Sequence, residues 1–185
     1  MKFTAALATL LLTVSSVSID PRNYQQQHVD GKKSFENVKN LFPALVPANA
    51  KLADAYFASG TQNYVCDSTT KAYKFAGPVA NLFKNGKLLG THYNDLLAGP
   101  PHWQFTKDSS LFIGAKAGGV ASPLGNTLAV DWLLLNRTNP VAKGKFGKTK
   151  FIIRADTQGG VKPSAACVDG EKFNVPYTTS YLFLE

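Results

Sequence analysis

From Gly60 onward, clusters of turn-forming residues break the chain roughly every 10–15 residues, and this spacing excludes most folds. The breaks include Gly99-Pro100-Pro101, Lys107-Asp108-Ser109, Gly118-Gly119, Asn139-Pro140, Gly159-Gly160 and Asp169-Gly170. Between them lie short segments rich in Val, Ile, Tyr, Phe and Thr, residues that suit a pleated, half-buried surface. Strands are expected at 61–66, 71–75, 87–93, 103–106, 111–113, 129–135, 150–155 and 178–184. Asn85-Gly86 is the strongest hairpin signal, since both residues tolerate the positive φ of a tight turn. Trp132-Leu133-Leu134-Leu135 shows no alternation and is expected to be buried on both faces. The fold class is all-β, an antiparallel β-sandwich or β-barrel, with one or two short helices near the N-terminus.

The segment before Gly60 reads differently. Lys2, the apolar run Ala5–Val14 and the small residues Ser15, Ser16 and Ser18 have the order of a signal peptide over residues 1–18. The apolar run is shorter than the roughly 20 residues a membrane-spanning helix needs, and no later segment qualifies. Residues 19–34 are polar and read as a flexible arm; Ser34 is the expected cap of a short helix, and Pro43 and Pro47 impose extended or turn geometry. Ala48–Ala58 has helix-forming composition. Residues 35–185 form a single β-rich domain without internal repeats. The expected location is secreted, extracellular or at the cell surface. In that oxidising setting Cys66 and Cys167, the only cysteines, are expected to pair, two buried thiols being the alternative. The net charge is +8, of which Lys2 contributes one, and a basic surface attracts polyanions without specificity.

No recognised catalytic motif is present. There is no GxSxG elbow, no HExxH and no GxGxxG within a βαβ unit. His92 and His102 with Asp95 or Asp131 match no metal-ligand spacing, so no metal and no cofactor is expected. Twelve carboxylates leave acid–base pairs open, with Asp131 and Asp156 the candidates for a glycan-active hydrolase. Asp131 beside Trp132 and Arg154 beside Ile153 are instead expected to form a buried ion pair. His92, Tyr93 and Trp103 are candidate ligand contacts, the aromatic rings offering faces to sugars. Lys143, Lys145, Lys148 and Lys150 form the sharpest charge cluster, read either as a polyanion-contacting hairpin or as lysines guarding a sheet edge. Asn136-Arg137-Thr138 is a glycosylation sequon at Asn136.

The landmarks Gly60-Thr61-Gln62-Asn63-Tyr64-Val65-Cys66, Phe75-Ala76-Gly77-Pro78, His92-Tyr93 and Gly99–Trp103 occur in an order that resembles a family of secreted fungal and bacterial proteins. Val130–Leu135, Arg154–Gly160, Cys167 and Val175–Phe183 continue it over about residues 40–185. The family is known as domain of unknown function 3455. The resemblance implies secretion, pairing of Cys66 with Cys167 and a β-rich fold, and supplies no catalytic set. Some members carry a dehydrogenase label, which the glycines here do not support. Pro101-His102 departs from the family pattern and leaves that loop's role open. The expected function is a non-enzymatic binding module for carbohydrate or another wall-associated polymer, with cell-wall polysaccharide or another polyanion as the expected partner and no specific nucleic-acid recognition. A hydrolase or a β-barrel carrier of an apolar ligand is the alternative.

Overall fold

The computed structural model describes residues 29–95 and 99–185; the expected signal peptide and most of the expected arm lie outside the described residues. Eight antiparallel strands close into one barrel in chain order. They are β1 (Leu52–Asp67), β2 (Ala72–Lys84), β3 (Lys87–Asn94), β4 (Pro101–Phe105), β5 (Leu111–Val120), β6 (Trp132–Arg137), β7 (Phe151–Gly159) and β8 (Lys172–Leu184). Of the two expected architectures the chain therefore adopts the barrel. Closure runs from Leu52 opposite Leu184 to Val65 opposite Lys172, so every strand has a partner on both sides. Asn85 and Gly86 join β2 to β3 with φ of 51° and 72°, the mirror-image turn expected of that pair.

The first half of β2 and the first residues of β8 pair with β1 alone, so the three strands continue past the barrel rim as a flap. A disulfide between Cys66 and Cys167 ties the end of β1 to the segment preceding β8. Tyr64 and Tyr73 pack around it.

Helix α1 (Gly31–Leu41) and a 3-10 turn at Pro43–Leu45 lie against the outside of the barrel. Phe35, Val38 and Leu45 pack there with Trp132, Ile153 and Leu182. This explains the unalternating Trp132–Leu135 run. Leu133 and Leu135 face the barrel interior, while Trp132 and Leu134 lie beneath the helical segment. The helix starts earlier than Ser34. Asp30 is its cap, accepting from the Lys32 and Lys33 amides at 3.1 Å each. A carboxylate suits the positive end of the helix, and the Ser34 hydroxyl is already engaged by Asp156.

Two further expectations are corrected. Ala48–Ala58 is not helical, because β1 begins at Leu52. Its small residues serve close approach instead: a Cβ on Gly31 would stand 2.3 Å from the Ala55 Cβ. Gly118 and Gly119 are not a turn but lie within β5, at a bulge facing β6, where a Cβ on Gly119 would meet Leu133 at 2.8 Å.

The floor of the barrel is aromatic. Phe146, from the β6–β7 connection, inserts among Tyr56, Phe105 and Phe183, with ring centroids 5.5, 5.4 and 4.4 Å away. Arg137 holds that connection in place. Its guanidinium donates to the carbonyls of Thr149, Leu111 and Phe146 and to Asn139 Oδ1, and it sits 4.8 Å from the Phe112 ring. Arg137→Met is expected to strand these acceptors and lower stability by about 3 kcal/mol, read from the urea midpoint. Phe146→Ala should cost about 3–4 kcal/mol by opening a cavity at the floor.

Candidate functional site

At the opposite end the interior is not filled. An inner chamber of about 150 Å³ is lined by Trp103, His92, Tyr181, Leu135 and Asn94, among others. An outer chamber of about 520 Å³ opens beneath the flap, with Tyr64, Val130, Asp131 and Lys162 on its wall. Gln62, Phe75, Lys116, Leu133 and Arg154 line both, so the two chambers adjoin. Register explains the placement. Leu133 lies opposite Arg154, and Arg154 opposite Tyr181, which puts the three in one inward-facing row across β6, β7 and β8. Trp103 lies opposite His92 on the facing wall.

His92 stacks on Trp103 with centroids 4.1 Å apart and bonds through Nδ1 to the His102 carbonyl at 2.8 Å. Burial drives its pKa down to about 3, so the ring is neutral across the physiological range. Tyr177 and Tyr181 place their hydroxyls 3.3 Å apart, and burial raises both phenol pKa values. Tyr64 donates to the Gly160 carbonyl at 2.7 Å. Gly160 has φ of +77°, and a Cβ there would stand 2.9 Å from Gln62 Cγ; the bare glycine lets the β7–β8 connection close over Gln62. Two buried polar atoms on the inner chamber, Trp103 Nε1 and Asn94 Oδ1, have no hydrogen-bond partner within the protein, while the buried Gln62 amide donates toward the Tyr177 hydroxyl.

The expected site residues divide between several places. His92 and Trp103 meet in the inner chamber. Tyr93 does not join them, since alternation along β3 points it outward, where it stacks on His102 and donates to Gln104. His102 is likewise apart from His92, its Nε2 lying 3.0 Å from Asp95. The buried Asp131–Arg154 ion pair is corrected. Arg154 donates from Nε and Nη2 to the main-chain carbonyl of Asp131, at 3.0 and 2.9 Å, because Asp131 precedes β6 and its side chain is half-buried. Asp156 lies outside the chambers, bonded to Ser34 in a β7 bulge with φ of 51°.

The lysine cluster occupies the floor end, far along the barrel from the chambers. Lys143, Lys148 and Lys150 are exposed, on a looped connection and not a regular hairpin. Lys145 is committed to Asp54 at 2.6 Å, and Lys84 reaches the same carboxylate. Asn136 is exposed on β6. Residues that sequence reasoning missed are Gln62, Lys116 and Leu133. Only the inward register of their strands could have marked them.

Burial alone would raise the Asp54 pKa, but hydrogen bonds from Lys145, Lys84, Tyr56 and the Ala55 amide outweigh it and leave the carboxyl below its ordinary value of 3.8. The stabilisation is therefore complete above that value and is lost as pH falls through the lower, folded-state pKa. Asp54→Asn should lower stability by about 2 kcal/mol at pH 7 and flatten the fall in melting temperature below about pH 4, measured by calorimetry. Changing Lys143, Lys148 and Lys150 together to Gln should move stability by less than about 0.5 kcal/mol.

Among the described residues no helix is long and apolar enough to cross a membrane. No curated protein and no solved structure gives a significant match to the chain. A family model does match. It spans residues 47–185, which takes in all eight strands and leaves α1 outside. On that match the chain belongs to the family described as "Protein of unknown function (DUF3455)".

Proposed function

We propose that the protein is an exported, non-enzymatic binding barrel that holds a small organic ligand in the chambers at its open end. The observation that carries this reading is the unfilled interior itself, with two buried polar atoms on it, Trp103 Nε1 and Asn94 Oδ1, turned to no partner in the protein. Proteins seldom leave such atoms unmatched, because each costs its full desolvation. A site of this kind is concave, largely apolar and equipped with a few placed polar groups.

The other readings draw less support. Tyr64, Tyr73, Trp103, Tyr177 and Tyr181 are all buried, which removes most of the stacking surface a polysaccharide chain would need on the outside. No Asp or Glu lines the inner chamber, and the outer one has Asp131 alone, so a paired-carboxylate hydrolase has no geometric support there. The Cys66–Cys167 disulfide supports export, since such bonds persist in oxidising compartments.

Benzyl alcohol, a neutral ring of the right size, is a suitable probe. It should raise the melting temperature of the parent saturably and leave Leu133→Phe, whose larger side chain fills the chamber, unmoved. A melting temperature that ignores benzyl alcohol and every other small aromatic probe would overturn the reading.

A further inference from the structure

We propose that the ligand is a small carboxylic acid, its carboxylate held by Arg154 and Gln62 and its flat or short apolar body lodged against Trp103 and Leu133. This inference rests on the binding-barrel reading above and adds the chemistry of what is bound.

Charge is the first argument. Arg154 stands where the two chambers join. Its guanidinium donates to a neutral carbonyl and toward the Tyr181 hydroxyl, and no carboxylate pairs with it among the described residues. Lys116, on both chambers, and Lys162, on the outer one, add positive charge. A half-buried guanidinium without a counter-charge is costly, and a planar anion matches its forked donors. His92 does not contribute a second buried cation, since its ring is neutral; it backs the Trp103 face instead.

The unpaired atoms are the second argument, and they are independent of charge. Gln62 and Trp103 are 2% and 1% exposed; the Trp103 indole N–H lacks a partner, and the Gln62 amide, with one N–H toward the Tyr177 hydroxyl, keeps a second. Two buried N–H groups beside an arginine call for an acceptor-rich ligand. Asn94 Oδ1, on the same chamber, lacks a donor and would accept from a hydroxyl on the ligand's body.

Size is the third. The inner chamber, about 150 Å³, matches the volume in which other proteins bind a benzene ring. Toward the floor the Phe112 and Phe105 rings and the inserted Phe146 end the space, so with the carboxylate at Arg154 a long acyl chain has no room further in.

The test is a calorimetric titration of the full chain at pH 7 and fixed ionic strength with benzoate, 4-hydroxybenzoate, benzamide, benzyl alcohol and decanoate. Benzoate should bind at least tenfold more tightly than benzamide, and 4-hydroxybenzoate more tightly still. Arg154→Gln and Gln62→Glu should each remove the preference for the acid while benzyl alcohol binds as before. Gln62→Glu keeps the side chain's shape, and so serves if Arg154→Gln does not fold. Neutral rings binding as tightly as acids would overturn the carboxylate inference and leave the binding barrel standing. Decanoate binding more tightly than benzoate would overturn the small-body assignment. Binding by none of the five would remove both readings.

Discussion

The pairing of β1 with β8 turns a meander of hairpins into a closed wall, and the rest of the structure depends on that seam. Without it the sheet would have two open edges and a single buried face. With it, every inward residue is placed in a ring whose neighbours are fixed by register. The row Leu133, Arg154, Tyr181, Tyr56 crosses the seam, so the guanidinium at the mouth and the aromatic packing at the floor are set by the same ladder. A slip of one residue would turn Arg154 outward and an apolar Ile153 inward.

The barrel is built in two parts along its axis. The floor is aromatic and dense, and the half-buried cation there, Arg137, is matched by carbonyls and an amide oxygen. The mouth is aromatic too, but it mixes rings with amides, phenols and an arginine that are incompletely matched. The flap of β1, β2 and β8 stands over that end and is secured by the Cys66–Cys167 bond. A covalent tie at this position restrains the strands nearest Gln62 and Tyr64, alongside the Tyr64–Phe75 and Tyr73–Phe173 ring contacts.

Much of this was legible in the residues. All eight strands have a counterpart in the expected segments because turn clusters and β-branched or aromatic runs act locally, and Asn85-Gly86 stated its own turn. The missed parts depend on partners distant in sequence. Ala48–Ala58 looked helical because alanine favours helices, but the start of β1 needs small side chains where α1 crosses it. Gly118-Gly119 looked like a turn because nothing local announces a bulge facing Leu133. At the site, Trp103 and His92 were legible as candidates, whereas Tyr93 was grouped with them until alternation separated it. Arg154 was marked correctly as an arginine among apolar residues, but its partner turned out to be a carbonyl, a distinction that side-chain identity does not carry.

The separation of floor from mouth bears on how such a barrel can change over evolutionary time. Most substitutions lower stability, and a protein tolerates new function only while it stays above its folding threshold. Here the packing around Phe146 and the outer layer beneath α1 supply much of the cohesion, and neither includes Gln62, Asn94, Lys116 or Arg154. Those positions lie apart from the two apolar clusters that hold the barrel together. A lineage built on this plan can alter the charge and shape of its open end by exchanging a handful of residues at one rim, keeping the same scaffold throughout.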